Sequence, residues 1–231
     1  MIRKSLLTSA ALALVLGAAP AMSSNLADID QVGDSNEASV TQSGTNNQAY
    51  VRQEGDAIAT ADVTQAGEGN FVDVFREDAF DDNGESVDTV DIEQNGDGNS
   101  VTMENNSNSF GIGAQRLTAS QTGDRNEVAI NRQQGGGNTM DFVQEGDDNL
   151  ITATQMQGTF QSAIAVEQFG DNNKASTRQM TPNGPSSSLI DVSQDGNDNS
   201  VNATQNSDMF GAKITIDQTG DFNSATVTQD P

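Results

Sequence analysis

The chain lacks several residue types on which common active sites and cross-links depend. Its 231 residues include no cysteine, no histidine and no tryptophan, and only four prolines and one tyrosine. Without cysteine there is neither a disulfide nor a thiolate nucleophile, and without histidine the commonest general base and zinc ligand are missing. A pair of carboxylates could still support catalysis, but no acidic pair stands out from the repeated background described below. The sequence therefore predicts a protein that is not an enzyme and has no cofactor.

Positive charge is also scarce. The chain has 10 lysines and arginines against 34 aspartates and glutamates, and its formal net charge is −24. Such a surface repels nucleic acid, which we exclude as a partner. High net charge with few apolar residues is typical of disordered chains, but the strict internal repeat described below argues for an ordered structure instead.

Long apolar runs are confined to the N-terminus. Arg3 and Lys4 precede the run LLTSAALALVLGAA, which is too short to span a bilayer, and Ala19-Pro20-Ala21 offers a small-x-small cleavage site. This pattern predicts a secretory signal peptide over residues 1–21, with cleavage within about three residues of Ala21. The alternative is a membrane anchor. Residues 22–231 would form one mature domain that leaves the cytoplasm and, having no second apolar run, does not span a membrane.

A six-residue frame, Gln-x-Gly-x-x-Asn, recurs eight times at intervals of 23 to 29 residues. Its glutamines are Gln42, Gln65, Gln94, Gln121, Gln144, Gln168, Gln194 and Gln218. Its glycines and asparagines are Gly44, Asn47, Gly67, Asn70, Gly96, Asn99, Gly123, Asn126, Gly146, Asn149, Gly170, Asn173, Gly196, Asn199, Gly220 and Asn223. A ninth frame, Gln31-Gly33-Asn36, precedes them.

Residues on both sides of each frame alternate between apolar and polar, which is the signature of a β-strand. Before Gln168, the alternate positions hold Ser162, Ile164 and Val166. Each unit is therefore predicted to be a strand, a tight turn and a second strand. In the turn, glycine supplies a positive φ and asparagine tolerates the left-handed region.

One such unit cannot bury its apolar face alone, but stacked units can. The sequence predicts an all-β fold, a β-solenoid of about eight full turns preceded by a half-turn near residues 25–31. Each layer would add a rise of about 4.8 Å. Identical amides in successive layers could then hydrogen-bond up and down the stack. The two ends would remain open to another molecule, which would make the assembled form cross-β.

The pattern Ser-x5-Gln-x-Gly-x-x-Asn-x-Ala-x3-Gln, which residues 162–179 match at every defined position, resembles the curlin repeat of curli fibre subunits. Residues 188–205 and 212–229 depart from it at one position each, Val201 and Ala212. The resemblance implies a secreted bacterial subunit of a functional amyloid, forming extracellular fibres that serve adhesion and the biofilm matrix. It also implies the partners: further copies of the chain, a nucleator subunit, an outer-membrane export channel, and host or abiotic surfaces. The last unit is close to the consensus and acidic, which favours a main subunit over a nucleator.

A second glutamine follows the turn in five of the eight units: Gln53, Gln155, Gln179, Gln205 and Gln229. Arg76, Asn105 and Arg132 replace it in the other three units. These three residues are candidate gatekeepers that slow premature assembly. The alternative is tolerated drift, with a long side chain reaching solvent at the end of a strand.

The residue after the turn glycine is acidic in six of the eight units: Glu68, Asp97, Asp124, Asp147, Asp171 and Asp221. In a stack these residues would form a column that either splays into solvent or collects cations. Segments such as GDGN are similar to calcium-binding nonapeptide repeats, but the nine-residue period is missing. The missing period argues against a specific calcium site. The alternative function is a monomeric, secreted, acidic β-solenoid adhesin, with or without bound calcium.

Overall fold

A computed structural model of the chain describes residues 11–16, 24–32, 36–54, 58–78, 87–107, 115–133, 137–156, 162–180, 188–206 and 211–230. These residues form 18 β-strands joined by turns. In this described part of the chain, no helix is long and apolar enough to cross a bilayer.

The strands alternate between two nine-stranded sheets, in which every pair is parallel. Sheet A holds β1 (Ala11–Leu16), β3 (Glu37–Thr45), β5 (Ile58–Glu68), β7 (Val87–Asn95), β9 (Arg116–Thr122), β11 (Thr139–Glu145), β13 (Ala163–Phe169), β15 (Leu189–Asp195) and β17 (Lys213–Thr219). Sheet B holds β2 (Leu26–Gln31), β4 (Gln48–Glu54), β6 (Phe71–Asp78), β8 (Ser100–Ser107), β10 (Glu127–Gln133), β12 (Leu150–Met156), β14 (Lys174–Met180), β16 (Ser200–Asn206) and β18 (Ser224–Gln229).

Each layer consists of one strand of sheet A, a tight turn and the following strand of sheet B. The two strands of a layer lie in different sheets, so they are not hydrogen-bonded to each other and each pairs only with the layers above and below. The strands β3 to β18 contribute eight strands to each sheet, and β2 adds a half-layer before them. The predicted all-β solenoid of eight layers and a half-layer is confirmed.

The core lies between the sheets because alternate residues of every strand point inward. In β13, Ile164, Val166 and Gln168 are buried, and the facing β14 buries Ala175 and Thr177. The apolar inward residues of other layers are mostly valine, alanine and isoleucine, which suit a narrow space between two sheets. Burying one valine or isoleucine side chain contributes roughly 1.5–3 kcal/mol, and stacking repeats that gain in each layer.

The segment Ala11–Leu16 pairs in parallel with β3, from Ala11 opposite Glu37 to Leu16 opposite Gln42. The sequence places residues 1–21 in a signal peptide outside the fold, so this strand was not expected. The edge of β3 presents unpaired backbone groups, and an extended apolar segment satisfies them. The predicted removal of residues 1–21 would take β1 away and open that edge.

The ninth frame, Gln31-Gly33-Asn36, is assigned differently by the structure. Gln31 lies opposite Gln53 in sheet B, after the turn, and not in line with Gln42 in sheet A. Asn25 occupies the position of the frame asparagine instead, with its Oδ1 accepting from the backbone N–H of Asn47 at 3.0 Å. Nδ2 of Asn36 still donates to the Val32 carbonyl oxygen at 3.1 Å, but the pairing of β2 with β4 decides the alignment.

Candidate functional site

The turn between the two strands of a layer depends on two residues with positive φ. In the layer that begins with β13, these are Gly170 at +101° and Asn172 at +59°. The second position is the residue before the frame asparagine, and it also holds Asn46, Gly69, Gly98, Arg125, Asp148, Asp198 and Phe222. The prediction that the frame asparagine itself takes the left-handed region is wrong. That asparagine is retained for its side chain.

The frame glycine is required for a second reason, the close approach of successive turns. A Cβ built on Gly170 would lie 2.3 Å from the carbonyl oxygen of Gly196 in the next layer. The corresponding distances at the other frame glycines that have a following layer are 2.0 to 2.3 Å. At Gly220, in the last layer, the nearest atom is Nδ2 of Asn223 at 3.8 Å.

The frame asparagines form the asparagine column, a stack that includes Asn25 and the eight residues from Asn47 to Asn223. Each Oδ1 accepts from the backbone N–H of the next asparagine, as between Asn149 and Asn173 at 2.9 Å. Its Nδ2 donates to the next frame glycine, and Asn149 reaches the Gly170 carbonyl oxygen at 2.7 Å. The Nδ2 contact is absent at Asn199, in the last layer but one, whose Nδ2 has no hydrogen-bond partner. In the last layer, Nδ2 of Asn223 donates to the Thr219 carbonyl oxygen instead, at 3.1 Å. One side chain thus fixes two backbone groups of the following turn.

The glutamines before the turn form the first glutamine column, from Gln42 to Gln218. In seven successive bonds, Nε2 of one residue donates to Oε1 of the next at 2.8 to 3.0 Å. The second hydrogen of each Nε2 reaches a backbone carbonyl of sheet B, as from Gln168 to Leu150 at 3.2 Å. The column therefore joins neighbouring layers and also ties sheet A to sheet B.

All these bonds run in one direction, so the two ends of the first glutamine column differ. At the N-terminal end, the buried Oε1 of Gln42 has no hydrogen-bond partner. At the C-terminal end, Nε2 of Gln218 reaches only the Ser200 carbonyl oxygen, at 3.4 Å. One end presents an acceptor and the other a donor.

The glutamines after the turn form the second glutamine column, which has two separate parts. Gln155, Gln179, Gln205 and Gln229 are joined by bonds of 2.7, 2.9 and 3.0 Å. At the other end, Gln31 and Gln53 are joined at 3.5 Å. Between the two parts, Oε1 of Gln155 is buried without a partner.

The gap coincides with the candidate gatekeepers, with one correction. Arg76 lies opposite Gln53, and Asn105 lies opposite Arg76, as their positions in the repeat predict. In the next strand a register shift after Ile130 leaves Asn131 out of the pairing and brings Gln133, not Arg132, opposite Gln155. A single extra residue in one strand displaces everything after it, and repeat spacing alone did not reveal it. The side chains of these replacements lie outside the described residues.

The acidic residues after the turn glycine form the acidic column, which has a structural task that the sequence did not predict. Oδ1 of Asp147 accepts from the backbone N–H of Asp124 in the preceding layer at 2.8 Å. The same contact recurs through Asp97, Asp171 and Asp221 at 2.7 to 2.9 Å. In one layer Asn197 replaces the acidic residue, and its Oδ1 accepts from the backbone N–H of Asp171 at 2.8 Å. A short side chain with an acceptor oxygen is what these contacts require, and the charge is additional.

Beside the acidic column, Arg125 and Asp148 form a bidentate ion pair between neighbouring turns, with both contacts at 2.8 Å. The Arg125 guanidinium lowers the pKa of the Asp148 carboxyl through this hydrogen bond, and Asp148 raises the pKa of Arg125. Both side chains are largely exposed, so solvent screens the pair. Within the described ranges, no group of acidic residues has the arrangement of a metal site.

The comparison with family models gives one finding, a match of residues 23–55 to the curlin associated repeat. The matched residues comprise the half-layer β2 and the first full layer, β3 and β4. Neither a curated protein nor a solved structure matches the chain. The curlin associated repeat is a structural repeat. The match at residues 23–55 supports a curlin family assignment, and the same frame is stacked in register through the following layers.

Proposed function

We propose that the mature chain, residues 22–231, is a secreted structural subunit of an extracellular, curli-like amyloid fibre. Subunits polymerise end to end into a cross-β fibre on the bacterial surface, where the fibre serves adhesion and the biofilm matrix. A nucleator subunit, an outer-membrane export channel, and host or abiotic surfaces are the further partners of this proposal. Neither catalysis nor a cofactor is part of it.

The observation that carries the proposal is the polarity of the first glutamine column. Its Nε2 groups all donate towards the C-terminal layer. At one end Oε1 of Gln42 is an unpaired acceptor, and at the other end Nε2 of Gln218 has only a long bond to the Ser200 carbonyl oxygen. The edge strands β17 and β18 also present backbone groups with no further strand beside them in the described chain. A second copy in the same orientation supplies what each end lacks, and so does a third, which makes the contact open-ended.

The inward residues at both ends support the same conclusion. Ala27 and Ile29 of β2 are only partly buried, as are Ala225 and Val227 of β18. In the layers between, the equivalent residues are almost fully buried. Packing Ala225 and Val227 against a further layer of a second copy contributes the apolar burial that association requires.

The proposal is tested by incubating purified residues 22–231 and examining the product by electron microscopy and fibre diffraction. We expect unbranched fibres with a meridional reflection near about 4.7 Å. A chain that stays monomeric across a range of salt concentration and pH would exclude the fibre and favour the monomeric adhesin. Calorimetric titration with calcium then tests the calcium-binding form of that alternative.

A further inference from the structure

The predicted removal of residues 1–21 leaves the two sheets with unequal numbers of strands. Sheet A then has eight strands, from β3 to β17, and sheet B has nine, from β2 to β18. A continuous solenoid adds one strand to each sheet for every rise of about 4.8 Å. Copies of residues 22–231 therefore cannot stack with both sheets continuous unless one strand at each junction leaves its place.

The ends of sheet A indicate that this sheet is the one that continues. The buried Oε1 of Gln42 lacks a donor, and Leu16, opposite it in the β1 register, belongs to a residue type without a side-chain donor. Nε2 of Gln218 has only its contact with the Ser200 carbonyl oxygen, at 3.4 Å. A hydrogen bond from Nε2 of Gln218 in one copy to Oε1 of Gln42 in the next copy would continue the first glutamine column across the junction.

The same register makes the rest of β17 complementary to β3. It brings the exposed Lys213 beside the exposed Glu37, two opposite charges on neighbouring strands. It also stacks Gly220 on a turn glycine of the next copy, and Gly220 is the frame glycine with open space around its Cβ position.

If β17 of one copy pairs with β3 of the next, the β18 that follows it falls at the height of β2 of the second copy. Both strands would then need the same place beside β4. The alternative is that β18 stacks on β2, which leaves an empty strand position in sheet A and keeps Gln42 without its donor.

We propose that the junction forms by strand exchange, in which β17 of one copy adds to β3 of the next, and β18 of the first copy replaces β2 on β4 of the second. The proposal rests on the proposed fibre and deepens it by naming the contact between subunits. The partner is a second copy of this chain.

The bonds of β2 are consistent with a strand that can be replaced. Nε2 of Gln31 in β2 donates to Oε1 of Gln53 in β4 over a long distance of 3.5 Å. The corresponding Nε2–Oε1 bonds between Gln155 and Gln229 are shorter, at 2.7 to 3.0 Å. In β18, Gln229 holds the same strand position as Gln31, and its Oε1 accepts from Nε2 of Gln205 at 3.0 Å. Ala225 and Val227 similarly take the inward positions of Ala27 and Ile29.

The exchange gives β2 a role in the single subunit. While the chain is alone, β2 covers the edge of β4, so that only the β3 edge of the N-terminal end is open. A second copy first pairs through β17 and then displaces β2. An edge that stays covered until a correct partner has docked reduces off-pathway pairing.

Disulfide mapping distinguishes the two junctions, because the chain has no cysteine of its own. Leu26 and Gln48 are register partners at the start of β2 and β4, and Ser224 holds the equivalent position in β18. Fibres grown from a mixture of Ser224→Cys and Gln48→Cys chains should form the mixed disulfide on oxidation, since adjacent strands place paired Cα atoms within bonding range. A mixed disulfide between Ser224→Cys and Leu26→Cys chains instead would overturn the exchange and leave the fibre intact.

A second variant locks β2 in place. The double variant Leu26→Cys/Gln48→Cys should lose fibre growth when oxidised and regain it when reduced. The matched control is Lys174→Cys/Ser200→Cys, which joins β14 to β16 at the same strand position and should grow in both states. If the oxidised Leu26/Gln48 variant grows as fast as the control, the exchange is wrong. If the unsubstituted chain forms no fibres, the proposed function itself fails.

Discussion

Asn149 Nδ2 donates to the carbonyl oxygen of Gly170, 2.7 Å away in the next layer, and Asn149 is 1% exposed. The same side chain accepts from the backbone N–H of Asn173 at 2.9 Å. This residue therefore satisfies two backbone groups of a turn that begins some twenty positions further along the chain. A buried amide, costly in an ordinary core, here determines where the next layer lies.

Asn149→Ala should lower the free energy of unfolding by about 3 kcal/mol, because it leaves the buried backbone N–H of Asn173 and the partly buried carbonyl oxygen of Gly170 without partners. Denaturant unfolding of the monomer at low protein concentration measures the change. Asn202→Ala, an exposed asparagine of β16, is the control and should change it by less than about 0.5 kcal/mol. Equal effects of the two variants would show that the asparagine column does not stabilise the turns.

Gly170→Ala should destabilise the solenoid far more than Gly69→Ala. Both glycines have positive φ, +101° and +69°, and each substitution costs about 1–2 kcal/mol for that reason. Only at Gly170 does the new Cβ meet the next layer, 2.3 Å from the Gly196 carbonyl oxygen, whereas nothing lies within 4 Å at Gly69. Thermal unfolding followed by circular dichroism compares the two. Similar losses would mean that the layers separate easily at the turn.

Gly220→Ala should allow folding but impair fibre growth. Its Cβ meets no atom closer than 3.8 Å in the single chain, but would face the turn of a docked second copy. We expect at least a several-fold slower elongation rate by thioflavin fluorescence, at a fold stability close to that of Gly211→Ala. Gly211 also has a positive φ, +77°, with open space around it, and serves as the control. Unchanged elongation would place the subunit contact elsewhere.

Asp124→Asn should preserve the fold and reduce its dependence on salt. The amide oxygen can accept the backbone N–H that the carboxylate accepts now, as Asn197 does in its own layer at 2.8 Å. The charge is lost, and with it repulsion from Asp97 and Asp147, which in water at this spacing amounts to roughly 1 kcal/mol per pair before screening. Unfolding at low and high salt measures both effects.

Asp124→Ala is the matched variant, since it removes the charge and the acceptor together. We expect it to be less stable than Asp124→Asn at every salt concentration. If the two variants behave alike, charge is the only contribution of the acidic column.

Arg76→Gln/Asn105→Gln should shorten the lag before fibre growth. The two residues lie opposite one another in the gap of the second glutamine column, and glutamines there could continue it from Gln53. Arg178→Gln removes the same charge from an exposed position of β14 and is the control. A lag no shorter than that of the control supports tolerated drift in place of gatekeeping.

Much of this architecture follows from the spacing of a few residue types. The interval between Gln168 and Gln179 sets the length of one layer, and the alternation through Ile164 and Val166 sets which face is buried. The frame, repeated eight times, gives the number of layers. Such features are local, so each can be recognised within a window of about eighteen residues, and stacking simply repeats them.

Contacts between layers were decided only by the tertiary structure. Asn172 and not Asn173 takes the left-handed conformation, Gln133 and not Arg132 lies opposite Gln155, and Asp147 accepts a backbone hydrogen from Asp124. Each of these depends on how two turns or strands more than twenty residues apart are placed within a few ångströms of each other. A repeat pattern fixes the period of the stack, while the geometry between neighbouring layers determines which atom of each repeated residue forms the bond.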